Sequence, residues 1–462
     1  NIRALHVSWG KMQGVFLHRR VFTQMKKETV TTNQITEGVI WKQLLLFFFP
    51  IVLGTFFQQL YNTADTIVVG RFVSKEALAA VGGSAAQIVG LIVGFFVGLA
   101  SGASVIISQF YGAKNRVQLN RALHTAYAFS IIGSIFITVL GILIAPWMLE
   151  LMHTPQETMA DALLYLRIYF AGIIFVFIYN VGSSILRAMG DSRRPLYYLI
   201  VCCFLNIVLD IVLVIVFHMG VAGVAIGTII SQLISCVLVL TCLYRSEGSY
   251  QLRFSKLKIN GAYMEQIFQV GVPAGIQSTV INLSNALLQS SVNSFGSIAM
   301  AGYTAANNIL GFLYMSVNSI TQACMSFTSQ NYGVGKLKRM DKVLRDCAIL
   351  SISIAAVLGG LAYNCGMEIL AYTSITYFLC GIMDLFPGAL RGMGYSAVPM
   401  VLSVIGTVGT RIVWVFGIFP NHRSLSVLFV SYPVSWILTI VLQVMCFYFV
   451  RKRVHQKEKR LL

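Results

Sequence analysis

Charge is scarce in this chain. Asp, Glu, Lys and Arg make up 11% of its 462 residues, while 57% are hydrophobic. Such a composition cannot give a soluble protein of this length a polar surface, and the mean hydropathy of +0.76 agrees. Soluble-enzyme signatures are missing too. There is no Walker loop, no His-Glu-x-x-His and no Gly-x-Ser-x-Gly. Ser255-Lys256-Leu257-Lys258 fits a Ser-x-x-Lys pattern by chance, inside a basic loop. These absences argue against an enzyme and against direct ATP drive, and they point to an ion gradient as the energy source. The nine Cys show no paired framework and read as small buried hydrophobes. The chain begins with Asn, and no apolar run of signal-peptide length precedes Met25, so residues 1–24 are expected to be a non-native or disordered extension.

Apolar windows of about 20 residues, the length that crosses a bilayer, recur twelve times: roughly 44–64, 87–107, 124–148, 162–185, 196–217, 221–243, 264–288, 309–328, 344–363, 374–390, 399–419 and 425–449. The net charge of +18 would suggest nucleic acid in a soluble chain, but its distribution rejects that. Lys26, Lys27 and Lys42, Lys114 to Arg121, Arg187 to Arg194, Arg245 to Lys258, Lys336 to Arg345, Arg391 and the tail from Arg451 all fall on one side. The opposite loops hold only Arg71, Lys75 and Arg423 among the bases. This positive-inside bias predicts that both termini are cytoplasmic in a multi-pass plasma-membrane protein, with the lipid bilayer as its surroundings and no nucleic-acid partner.

The chain also repeats itself. Ser108-Gln109-Phe110-Tyr111-Gly112 returns as Ser329-Gln330-Asn331-Tyr332-Gly333, and Leu186-Arg187-Ala188-Met189-Gly190 returns as Leu390-Arg391-Gly392-Met393-Gly394. Pro50 and Asn62 map onto Pro273 and Asn285. The expected fold is an all-α membrane protein with twelve transmembrane helices, in two six-helix lobes related by a pseudo-two-fold axis along the membrane normal. The expected divisions are a cytoplasmic segment 25–43, a first lobe 44–243, a linker 244–263, a second lobe 264–450 and a basic tail 451–462. Between its two motifs the second half is 17 residues shorter than the first, which leaves the tenth span only about 17 residues long.

Polar groups inside spans are costly and usually functional. Gln58, Asn62 and Asp65 share one face of the first span; Asn206 and Asp210 share a face of the fifth; Thr228 follows Gly223 and Gly227 in the sixth. Two carboxylates, an amide oxygen and a hydroxyl suit a proton or a hard cation. The seventh span carries a neutral stripe of Asn282, Asn285, Gln289 and Asn293. With Gln58 and Asn62 it is a candidate lining for a substrate cavity. Asp384 is either a second cation-responsive group or a partner of Arg411. Gly90, Gly94, Gly98 and Gly102 form a glycine face on the second span that lets another helix approach closely.

Together, Tyr61 to Gly70, Ala77-Leu78-Ala79-Ala80-Val81-Gly82, both motif pairs and Asn206-Ile207-Val208-Leu209-Asp210 resemble the multidrug and toxic compound extrusion (MATE) family over about residues 36–450. The resemblance implies export of organic cations or amphipathic toxic compounds in exchange for H⁺ or Na⁺, with no cofactor, by a monomer. It is nearer the DinF-like branch than the NorM-like one. In the former, a cation site in the first lobe uses an Asp of span 1, an Asn and an Asp of span 5 and a Thr of span 6. Asp65, Asn206, Asp210 and Thr228 match them residue by residue, so any Na⁺ would be held there. The other branch places acids in the second lobe, where this chain has Asp384 within its tenth span. Two alternatives stay open: a flippase of related fold for a lipid-linked precursor, and a remnant impaired in transport by the short tenth span.

Overall fold

The computed structural model describes residues 35–246, 250–364 and 368–459. The extension expected at residues 1–24 lies outside them. All regular structure among the described residues is helical. The first half comprises α1 (Ile40–Phe72), α2 (Lys75–Gly112), α3 (Arg116–Leu151), α4 (Gln156–Ala188), α5 (Arg193–Val216) and α6 (Gly220–Arg245). The second comprises α7 (Gly261–Asn293), α8 (Ser297–Gly333), α9 (Leu337–Tyr363), a broken α10 (Glu368–Thr373, then Tyr377–Gly392), α11 (Ala397–Asn421) and α12 (Leu425–Lys459).

Most helices outrun their hydropathy windows. Helix α1 has 33 residues, about 50 Å at 1.5 Å per residue, so its ends project beyond a hydrocarbon core of about 30 Å. Among the described residues nine helices are long and apolar enough to span a membrane by composition alone. Helices α7, α8 and α10 fall short, the first two through polar residues and the third through length. The longer piece of α10 has only 16 residues and follows a break at Ser374–Thr376, where Gly359 of α9 presses on the Ser374 carbonyl.

Each lobe has its own core. Phe170, Ile173, Leu166 and Ile88 are fully buried in the first; Leu288, Leu370 and Leu428 centre the second. Outward faces carry bare apolar side chains such as Phe136, Leu143 and Phe416, each more than 60% exposed. That coat suits lipid. With acyl chains outside, close packing rather than exclusion of water holds the helices together.

Two helices cross between lobes. The first half of α1 packs Leu44, Phe47 and Ile51 against Ile320, Phe327 and Cys347 of the second lobe. The first half of α7 packs Ile267 and Val270 against Ile107 and Leu123 of the first. Each carries a proline, Pro50 and Pro273, near the end of its crossing segment. The lead-in to α1 is clamped from the other lobe: Lys336 donates to the Thr36 carbonyl at 2.9 Å, and Arg339 donates to the Glu37 and Gly38 carbonyls at 2.9 Å. The lead-in to α7 is clamped in turn by α3. The Arg253 amide donates to His124 Nε2 at 3.1 Å and the Asn260 amide donates to Thr125 Oγ1 at 3.3 Å.

Candidate functional site

The repeated motifs meet face to face across the seam between lobes, on the side of the basic loops. Gly112 of α2 lies against the Gln330 backbone, and Gly333 of α8 lies against the Gln109 backbone, so closely that a Cβ on either would collide. Gln109 Nε2 donates across the seam to the Gly392 carbonyl at 2.9 Å; Gln330 Nε2 donates to the Ala188 carbonyl at 2.6 Å. These acceptors are orphan carbonyls at the ends of α10 and α4. Each helix is closed by the glycine of its motif, Gly394 and Gly190, with φ of 90° and 93°, in a left-handed region that favours glycine. The two motifs are therefore one device in two copies: a glycine-capped helix end on one lobe, read by a glutamine of the other.

Above this seal the seam widens. On α2, Gly102 would set a Cβ 2.5 Å from the Ile267 carbonyl oxygen and 2.6 Å from Gly271 N, Gly98 presses on the Gly275 backbone, Gly94 meets only the side-chain atoms Ser278 Oγ at 3.5 Å and Asn282 Nδ2 at 4.0 Å, and Gly90 meets nothing within 4 Å. The lobes thus diverge away from the basic loops. A cavity of about 200 Å³ lies in the fork, lined by α2, α4, α7, α8 and α10.

In the first lobe, α1, α5 and α6 bring Asp65, Asn206, Asp210 and Thr228 together, all buried. Thr228 Oγ1 donates to Asp65 Oδ2 at 3.4 Å, and Asn206 Nδ2 donates to Thr228 Oγ1 at 3.5 Å. The Asp65 and Asp210 carboxyls are neighbours in this group. Among the described residues no N–H or O–H group satisfies Asp65 Oδ1, Asn206 Oδ1 or either oxygen of Asp210. Four buried oxygens thus converge with only acceptor capacity between them, an arrangement that a shared proton or a cation would satisfy. Gly227 makes room for it, because a Cβ there would stand 2.5 Å from Asp210 Oδ1. A π-helical turn, Val212–Val216, begins two residues after Asp210.

The corresponding helices of the second lobe are α7, α11 and α12. Arg411 of α11 is buried there, donating to Asn285 Oδ1 at 2.7 Å and Ser284 Oγ at 3.5 Å, and lying over the Tyr432 ring at 4.6 Å. The second lobe therefore carries a built-in cation where the first gathers acids. This settles the partner of Arg411, which is Asn285 and not Asp384. Asp384 instead lines the seam cavity near Arg391.

Of the other candidate cavity residues, Asn282 lines the seam cavity, while Asn285 is engaged by Arg411. Gln58, Asn62 and Gln289 are exposed and are not among the residues lining that cavity. The sequence reading placed Arg187 and Arg391 among the loop charges, but both stand in the last helical turn and line the cavity. Arg167 of α4, within the fourth span, is exposed. The repeated motifs were the available signal for Arg187 and Arg391, masked by a charge count that treats every base near a span end as a loop residue.

The MatE family model matches residues 50–212 and 273–366, more than half of the chain. This chain belongs to the MatE family. The MatE relatives include the "Probable multidrug resistance protein YoeA" of Bacillus subtilis strain 168, 28% identical over 458 residues that cover 93% of this chain and 98% of that protein. The "Probable multidrug resistance protein YpnP" of the same strain is 32% identical over 312 residues, 66% of this chain and 68% of that one. A solved MatE structure described as the outward-facing conformation of a multidrug resistance MATE family transporter superposes with a TM-score of 0.84 at 21% identity, over 94% of this chain and 100% of that one. The fold is therefore the MATE fold of twelve transmembrane helices in two lobes, and MatE members are transporters rather than enzymes.

Proposed function

We propose that this chain is a secondary active multidrug efflux transporter of the bacterial cell membrane, with both termini cytoplasmic. In this reading it exchanges H⁺ or Na⁺ for organic cations or amphipathic toxic compounds by alternating access. The observation that carries the proposal is the group of unsatisfied oxygens on Asp65, Asn206 and Asp210, buried beside Thr228 in the first lobe. Two carboxylates held together out of water favour an entering cation strongly. Asp65 sits late in α1, whose earlier half packs on the second lobe, so one helix joins the acids to the seam. Pro50 lies between the two regions and removes one backbone hydrogen bond from α1, a natural point for it to bend. Ion entry then shifts α1 and changes which face of the seam is open. One inward elementary charge supplies about 2.3 kcal/mol per 100 mV, roughly a 50-fold accumulation.

The flippase reading fits less well. The cavity holds two arginines against one aspartate, and that single excess charge is a poor match for a pyrophosphate. The acids of the first lobe favour the DinF-like branch. The test is dye efflux from proteoliposomes under separate H⁺ and Na⁺ gradients. Wild type is expected to respond to one of them and Asp65→Asn to neither. Equal efflux by Asp65→Asn and Asp210→Asn would refute the assignment.

A further inference from the structure

The carbonyls of the two motif arginines accept the cap-glycine amides, but their side chains have no part in the glycine cap. Capping needs the left-handed glycine and the backbone before it, yet Arg187 and Arg391 both line the seam cavity from opposite lobes. Arg187 Nη2 donates to Ser184 Oγ at 3.1 Å, and Arg391 Nη2 donates to Gln277 Oε1 at 2.6 Å. Arg391 Nε is buried with no acceptor. Each guanidinium carries five N–H donors, so most of this capacity is uncommitted. Asp384 is the only acidic residue in the lining among the described residues, which leaves one positive charge in excess. A desolvated cation without a counter-charge is costly unless something fills the place.

We propose that Arg187 and Arg391 form an anion-accepting subsite in the seam, which takes the carboxylate of an amphipathic zwitterion. The inference rests on the reading of the seam as the substrate path and assigns the residues that would hold an acidic end of the cargo. The charge count fits one carboxylate, and the planar guanidinium fork fits its two oxygens. Ser278 and Ser326 add hydroxyls around it, while those of Ser101, Ser104 and Thr321 donate to backbone carbonyls. At about 200 Å³ the cavity is smaller than a drug-sized pocket of about 300–1,000 Å³. It therefore receives one polar end of a ligand, and the rest of the molecule lies toward the open part of the fork.

The test uses the full chain in lipid nanodiscs without an ion gradient, with a rhodamine bearing a free carboxylate and its ethyl ester as the paired probes, read by fluorescence anisotropy. Arg391→Gln is expected to weaken the carboxylate dye about tenfold and to leave the ester within about twofold. Arg391→Lys, which keeps the charge and loses the fork, should fall between. Arg187→Gln gives the same comparison should Arg391→Gln fail to fold. Equal weakening of both dyes, no change in either, or failure of wild type to bind the carboxylate dye would overturn the proposal. Because binding is read without a gradient, a chain that discriminates the dyes but shows no ion-driven efflux would refute the antiport reading alone.

Discussion

Gly102→Ala tests whether the α2–α7 seam sets the conformation of the transporter. The added Cβ would stand 2.5 Å from the Ile267 carbonyl oxygen, 2.6 Å from Gly271 N and 2.7 Å from Gly271 Cα. Ordinary contacts lie at about 3.5 Å, so the helices must part by about 1 Å. All three obstacles are backbone, and no side chain can swing aside. Overpacking of this kind costs about 1–3 kcal/mol. It falls only on the arrangement with this end closed, so the population should move about 5- to 150-fold toward the arrangement with this end open. Spin labels at Val117 of α3 and Lys338 of α9, both exposed near the basic loops, would report the separation by pulsed dipolar spectroscopy, with the native cysteines replaced by alanine. Gly90→Ala is the control. It lies on the same helix and gains the same helix propensity, but its Cβ meets nothing within 4 Å. The longer-distance population should grow in Gly102→Ala and not in Gly90→Ala. A folded Gly102→Ala protein with the wild-type distance distribution would refute the reasoning.

The paired glutamines should act on the same equilibrium. Gln109→Ala and Gln330→Ala each remove a cross-lobe hydrogen bond worth about 1 kcal/mol, and the double variant should shift the label distances about 30-fold in population; additive effects would show that the two contacts act independently, and no shift in the double variant would mean that they do not hold this end closed. Gly227→Ala leaves every carboxylate in place but crowds Asp210, and ion-driven dye efflux should fall about tenfold or more while gradient-free dye binding persists; unchanged coupling would show that Asp210 need not occupy its present position. Asp65→Asn should abolish the response of efflux to the coupling ion, checked in proteoliposomes. Arg391→Gln should separate the carboxylate dye from its ester, checked by anisotropy.

Amino-acid order alone shows the twelve spans and the doubling of the chain, because hydrocarbon thickness and repetition act on local stretches of residues. It also determined that Asp65, Asn206, Asp210 and Thr228 are exceptional, since polar groups within apolar helices stand out wherever the helices go. Only the tertiary structure decided what those residues face. That Asn285 and Ser284 hold Arg411, that Asp384 belongs to the seam and that Arg187 and Arg391 turn inward depend on helix rotation and crossing, which helical periodicity leaves undetermined. The motifs were legible as a repeat but not as a seal. Their glycines and glutamines act across two lobes, between residues 142 to 283 apart in sequence, and only packing brings backbone to backbone at that distance.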